Sequence, residues 1–463
     1  MNIQDLSQMT LAALREGYAA RRISPVEVME RTFAQIDAAN GAINALYDLR
    51  RDESLAAAKD AAQRFKRGTP AGALDGIPVT IKDSVNAVGM TWHHGARLHG
   101  AGVKGASDAP PTAKLKAAGA IIIAKTTMPD FGLSGSGVSS CHGIARNPWG
   151  LAWNTGGSSA GAGASLAAGI GVMSVGSDIA GSVRLPASHC GLAALKPTQG
   201  MIPHTPASDV RSAGPMTRHA ADLEAHLRIL GGVHQEDRFS VPVVEASGGF
   251  EAARVAVYRD FGFGPPVEPA VIAVLEAAER ALGELVAEVS CKDAAFDHDI
   301  YLAIDDLLKL RGWREYAPAS AVLRQEIPAG LLNWFKEAEH WNGDRIALFE
   351  REIARGVLQT AQLFDEADFL LTPVMPVVNF PAEECGLDPA MPLRHCTFTA
   401  PFNQSGHPAV SLCGGFDARG LPVGVQLVGR RFDDVRLCRL ATALEARMRA
   451  AAGAIDWPLE PRH

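Results

Sequence analysis

A chain of 463 residues with 47% hydrophobic and 21% charged side chains has the makeup of a globular protein able to bury a sizeable core. Its net charge of −7, with no block of basic residues, argues against a nucleic-acid partner. The seven cysteines form no C-x-x-C pair and read as free thiols; with neither an H-E-x-x-H helix nor a Walker loop present, no metal and no cofactor is expected.

The N-terminal stretch MNIQDLSQMTLAALREG has an early acidic residue and no basic start followed by an apolar run. It does not read as a secretory signal, so a cytoplasmic location without a membrane partner is expected. Residues 6 to 67 read as helices. Ser24-Pro25-Val26-Glu27 combines an N-cap serine, a proline at the first helical position and a capping-box glutamate, and the helix it opens is expected to stop at Asn40-Gly41. A further helical pattern runs from about Asp52 to Gly68.

Ile77-Pro-Val-Thr-Ile-Lys82-Asp83 is a short β-rich run with a lysine at its end. Taken alone, Lys82 reads as a snorkelling surface charge. Residues 112 to 126 then read as a helix, a Gly119 stop and a buried strand, Ile121 to Ala124. That alternation suits a mixed or mostly parallel sheet. Phe131 to Ser140 follows as a Gly/Ser loop.

The stretch from Gly156 to Pro197, GGSSAGAGASLAAGIGVMSVGSDIAGSVRLPASHCGLAALKP, sets two serine turns around one helix and one strand. A Gly-rich turn opening a helix gathers unpaired backbone N–H groups able to stabilise an oxyanion. The interleaved Leu166, Ile170, Val172, Met173, Val175, Ile179, Val183 and Leu185 are too apolar for a flexible linker. Its Ala-rich part, Ala160 to Gly176, is short of a membrane-spanning length, rich in glycine and interrupted by Ser165 and Ser174.

The string GGSS, then a helix, then GSDxxGSxRxPAxxCGLxxLKPT (Gly156 to Thr198) resembles the signature of the amidase signature family. The similarity extends to Leu74–Asp83, Asn403–Ala409 and Gly420–Gly429, and is weakest over about 245–365. It implies an α/β fold: a single large domain over 1–463 with a central mixed, mostly parallel sheet flanked by helices. Within it, residues 1–67 would be N-terminal helices, 70–245 the signature core, 246–365 a variable and mainly helical cover, and 366–452 the C-terminal strands and closing helix. Trp313, Trp334 and Trp341 in the cover read as packing elements rather than a substrate wall.

The resemblance implies a Ser, Ser, Lys triad: Ser182 as nucleophile, Ser158 as bridging serine and Lys82 as base, with the oxyanion facing the N–H groups of Ile179, Ala180, Gly181 and Ser182. A lysine desolvated among buried neighbours loses its proton more readily, which fits this role provided that Asp83, one residue on in a strand, points away. Asp178 and Arg184 match signature positions and, with Ser159, read as bracing groups. Where many members carry Gly-Gly before the nucleophile, this chain has Ala180-Gly181, which narrows the turn. By resemblance, Gly135, Ser136 and Ser139 would line the substrate pocket, although ordinary turn serines explain them equally well; Arg211 would meet a substrate carboxylate, although a solvated loop arginine is the simpler reading.

The implied activity is hydrolysis of a small-molecule carboxamide through a seryl acyl-enzyme, releasing acid and ammonia or amine. Its only expected partners are the amide substrate and, as the usual state of soluble enzymes, a second copy in a homodimer. Two alternatives stay open. Gly157-Ser-Ser-Ala-Gly161 fits the G-x-S-x-G elbow of a serine esterase using Ser159 with His204 or His407, but the elbow needs a preceding strand. The amidotransferase component that makes glutaminyl or asparaginyl transfer-RNA amides in a complex also resembles the family, yet its T-E-N-S string is replaced here by Gly137-Val-Ser-Ser140.

Overall fold

The computed structural model describes residues 6–293 and 295–462, so the first five residues of the expected N-terminal helical segment lie outside it. One mixed sheet of eleven strands organises the chain. From one edge to the other it runs Leu46–Tyr47, Ile121–Thr126, Pro78–Lys82, Met173–Asp178, Ser212–Thr217, Ala193–Lys196, Ala409–Phe416, Pro422–Gly429, Phe369–Pro373, Arg254–Tyr258 and Glu288–Lys292.

The sheet is mixed as expected but not mostly parallel. Pro78–Lys82 pairs in parallel with both of its neighbours, and so does Arg254–Tyr258. The remaining pairings are antiparallel. The cause lies in the connections. Ser212–Thr217 inserts between the two strands of the signature and reverses the direction there, and Ala409–Phe416 and Pro422–Gly429 form a hairpin closed by Asp417 and Gly420.

Alternation along the strands splits the core into two layers. Val255, Val257, Phe369 and Leu371 face one cluster with helices Pro269–Leu282 and Asp434–Ala452, while Ala256, Tyr258 and Leu370 face a second with helices Ile300–Tyr316 and Ala329–Lys336. Trp334 is buried in this second cluster, where its indole N–H donates to Asp305 Oδ1 at 3.1 Å, and Trp341 packs tilted against Phe349. Trp313 packs partly buried against the same cluster, so all three tryptophans are packing elements, none of them lining the cavity beside Ser182.

Local signals account for most element ends. Ser24 and Glu27 form the capping box of helix Pro25–Ile43, and Gly68 ends helix Arg51–Arg67 in the left-handed conformation. Helix Pro25–Ile43 overruns the expected stop at Asn40-Gly41 because Asn44 takes the left-handed turn, freeing the Asn40 side chain to accept from the N–H groups of Ala45 and Leu46.

Candidate active site

Lys82 ends the strand Pro78–Lys82 with its side chain wholly buried. Its Nζ donates to Ser158 Oγ at 2.8 Å, to Ser177 Oγ at 3.2 Å and to the Ser177 carbonyl at 3.3 Å. Burial pushes the ammonium down to about 7, and the Arg211 charge adds to this against the opposing pull of Asp178 and Asp83. Alternation along the strand sends Asp83 the other way, where its carboxylate accepts from the N–H groups of His93 (2.8 Å) and Gly95 (2.7 Å). Burial opposes its charge, but His142, Lys125 and these two amides outweigh burial and hold the carboxyl below the usual range. Asp83 therefore has its own partners and does not pair with Lys82.

Ser158 and Ser182 come from the two turns of the signature. Ser158 follows a cis Gly157–Ser158 peptide bond and precedes helix Ala160–Ala167; an added Cβ on Gly157 would lie 2.2 Å from the Ser136 carbonyl oxygen, so only glycine fits. The N–H of Ser159 donates to the Ser182 carbonyl at 3.1 Å and ties the turns together. Both Ser158 and Ser182 line a cavity of about 230 Å³.

The turn before Ser182 corrects one expectation. The Gly181 N–H, expected to face an oxyanion, donates to Asp178 Oδ1 at 2.8 Å and is not available. Among the described residues, the N–H groups of Ile179, Ala180 and Ser182 find no backbone or side-chain acceptor and remain as donors. Ala180 fits because the left-handed torsion falls on Gly181 (φ 126°), while the Ala180 carbonyl accepts from Thr399 Oγ1 at 2.6 Å.

Behind this turn, Asp178 and Arg184 form a fully buried ion pair. All five guanidinium N–H donors of Arg184 are used: two go to the Asp178 carboxylate, and the others to the Thr399 carbonyl, Gln426 Oε1 and Asn403 Oδ1. Asn403 donates back to Asp178. Removing one member of so complete a network leaves a buried charge without compensation. Arg184→Met is expected to lower unfolding stability by about 3–5 kcal/mol, read as a fall in the urea midpoint at constant slope. Unchanged stability would show that the network does not brace the turn.

Ser159 is wholly buried, is absent from the cavity wall and donates through Oγ to the Ser177 carbonyl at 3.4 Å. No strand leads into Gly157, and His407 bonds Ser405 and stacks on Phe364. His204 is buried with both ring nitrogens unpartnered and is also absent from the wall. The elbow geometry of a serine esterase is therefore absent around Ser159.

Two further expectations change. Gly135, Ser136 and Ser139 do not line the cavity: Ser139 Oγ donates to the Gly95 carbonyl at 2.6 Å, Ser136 shares a hydrogen bond with Ser134, and an added Cβ on Gly135 would run into His395. They brace the loop from behind, and its earlier residues Phe131, Gly132 and Leu133 supply the wall. Arg211 does line the cavity, beside Arg311 and Arg314, which the sequence reading missed. Also missed was Lys125, buried under the Lys82 strand end and donating to the carbonyls of Asp83 and Val85.

His94, His99 and Glu315 bring donor atoms within 4.8 Å of one another at the same cavity, the closeness a metal ion needs. In the structure His94 Nδ1 is instead 3.1 Å from Glu315 Oε2, and the three arginines on the wall oppose a divalent cation.

Comparison with known proteins agrees with this fold and signature. A family model described as Amidase matches residues 27–438, and the chain belongs to this amidase signature family. A glutamyl-tRNA(Gln) amidotransferase subunit of Anaeromyxobacter dehalogenans (strain 2CP-C) is 33% identical over 99% of this chain and 99% of its own length. An acylamidase of Rhodococcus erythropolis is 30% identical over 96% of this chain and 97% of its own. The structure of 6-aminohexanoate cyclic dimer hydrolase with substrate superposes with a TM-score of 0.87 at 26% identity, covering 98% of this chain and 100% of that one. Among the described residues no helix is long and apolar enough to cross a membrane.

Proposed function

We propose that this protein is a free-standing amidohydrolase that cleaves a small-molecule carboxamide through an acyl-enzyme on Ser182. The observation that carries the reading is the Lys82–Ser158 contact of 2.8 Å, made by a lysine whose ammonium burial disfavours down to about 7. An amide carbon is a poor electrophile and its nitrogen a poor leaving group, so the reaction needs an activated nucleophile, oxyanion donors and a proton for the departing amine.

Neutral Lys82 takes the proton of Ser158, which takes that of Ser182 as Ser182 Oγ adds to the carbonyl carbon. The N–H groups of Ile179, Ala180 and Ser182 receive the oxyanion. The proton returns through Ser158 to the amide nitrogen, the C–N bond breaks, and ammonia or amine leaves. Water entering by the same proton path then releases the carboxylic acid and restores Ser182.

The match to an acylamidase over nearly the whole of both chains supports this reading. A second reading, an amidotransferase component that works in a complex, is favoured by the match to the glutamyl-tRNA(Gln) amidotransferase chain. An ammonia- and amine-release screen of the purified chain separates them. The hydrolase reading expects turnover of simple aryl or aliphatic amides by the single chain. Turnover of glutamine alone, and only with added partner chains, would support the second.

A further inference from the structure

We propose that the cavity beside Ser182 is built for an anionic substrate, an amide with an apolar or aromatic body that carries a carboxylate at its far end. This deepens the hydrolase reading and rests on it only for the orientation of the substrate toward Ser182.

Two segments far apart in sequence supply the cationic wall. Arg311, Arg314 and Glu315 lie three and four residues apart on helix Ile300–Tyr316, and so share one face, which lines the cavity. Arg211 reaches the same cavity from the loop before strand Ser212–Thr217. That loop is firmly held: Gln199 Nε2 donates to the carbonyls of Ser208 (2.6 Å) and Arg211 (3.1 Å), and Ser208 Oγ accepts from the Arg211 N–H at 3.0 Å. The guanidinium donates through Nη2 to the Pro206 carbonyl at 2.7 Å, while its Nε is buried with no hydrogen-bond partner.

The charges facing these arginines leave a positive excess. Glu315 is engaged with His94. Asp209 stands 3.8 Å from Arg311 with its carboxylate mostly in water, where its attraction is heavily screened. Asp237 accepts from the N–H groups of His204 and Phe239. Burial, with the Arg311 charge added, pushes Arg211 down to about 10 against Glu315 and Asp237. Three guanidiniums with one carboxylate on the same wall form a cationic spot in a chain whose overall charge is −7.

Arg211 holds a buried Nε without a partner, which a ligand would complete, while Arg311 is partly and Arg314 openly solvated and free to turn toward it; a planar guanidinium fork matches a carboxylate in particular. Beyond this wall, His94 and the serines gathered around Ser182, the lining is apolar, from Met128, Phe131, Leu133 and Ile179, and suits a hydrocarbon or aryl body rather than a second charge.

The test compares mono-p-nitroanilides of succinic, glutaric and adipic acids with neutral alkanoyl p-nitroanilides of the same chain length, read as kcat/KM. The best acid is expected to exceed its neutral partner by about tenfold or more, the worth of a hydrogen bond to a charged group. In Arg211→Gln and in Arg311→Gln that ratio is expected to fall toward one. Neutral substrates preferred at every length, or a ratio untouched in both variants, would overturn the proposal while leaving the hydrolase reading standing. Calorimetric binding of the same compounds to Ser182→Ala protein decides the case in which none is cleaved. Tighter binding of the acids that Arg211→Gln abolishes supports the anion site without the hydrolase, and equal binding of acids and neutral partners removes it.

Discussion

Lys82→Met is expected to remove about 10²- to 10⁴-fold or more of the amidase activity, the range a positioned general base supplies. The unmodified enzyme should show kcat/KM rising about tenfold per pH unit below the Lys82 value of about 7 and levelling above it, because only the neutral amine accepts a proton. The same substitution should stabilise the fold. An ordinary lysine titrates near 10.4, so between about 7 and 10.4 the unfolded chain binds more protons than the folded one, and stability rises with pH across that window. The cost of holding Lys82 is greatest below about pH 7, on the order of 4 kcal/mol, and shrinks toward pH 10. Met at this position avoids it, so thermal melts should show the variant gaining more over the parent at pH 6 than at pH 9.5. A folded Lys82→Met protein with near-parental turnover would remove lysine from the mechanism.

Ser182→Ala is expected to have the larger kinetic effect. Without the nucleophile no acyl-enzyme forms, and residues acting as one unit lose most of their rate when any key member is removed, by up to about 10⁶-fold in kcat. The fold should survive, since Ser182 Oγ makes no hydrogen bond to the described residues and the bond from the Ser159 N–H uses the Ser182 backbone carbonyl. Retained circular dichroism and urea midpoint beside lost turnover is the expected pair of results. Retained turnover would move the chemistry away from this serine.

The helix that Ser24 and Glu27 open was legible in the sequence because a capping box declares itself over a few residues. Lys82 taken alone reads as a surface charge, and its place beside Ser158 and Ser182 was legible only through the resemblance to the amidase signature family. Where the reading failed, the deciding contacts join distant parts of the chain. The Gly181 N–H looked free because its acceptor is a side chain, Asp178, itself fixed by Arg184 and Asn403. Gly135, Ser136 and Ser139 lie close in sequence to the wall residues Phe131 to Leu133, yet the loop turns them into contacts with Gly95, Ser134 and His395. The spacing of Arg311, Arg314 and Glu315 is visible on their helix, but nothing local says that this face closes over Ser182. The parallel bias failed for the same reason: Ser212–Thr217 slips between two strands that precede it in the chain.

Mass spectrometry of protein treated with a serine-reactive fluorophosphonate shows whether Ser182 is the nucleophile that Lys82 activates, because an activated nucleophile is labelled faster than other serines. A single adduct is expected on Ser182, lost in Ser182→Ala and strongly slowed in Lys82→Met. An adduct on Ser159, or labelling of Ser182 at an unchanged rate without Lys82, would refute the Lys82–Ser158–Ser182 mechanism.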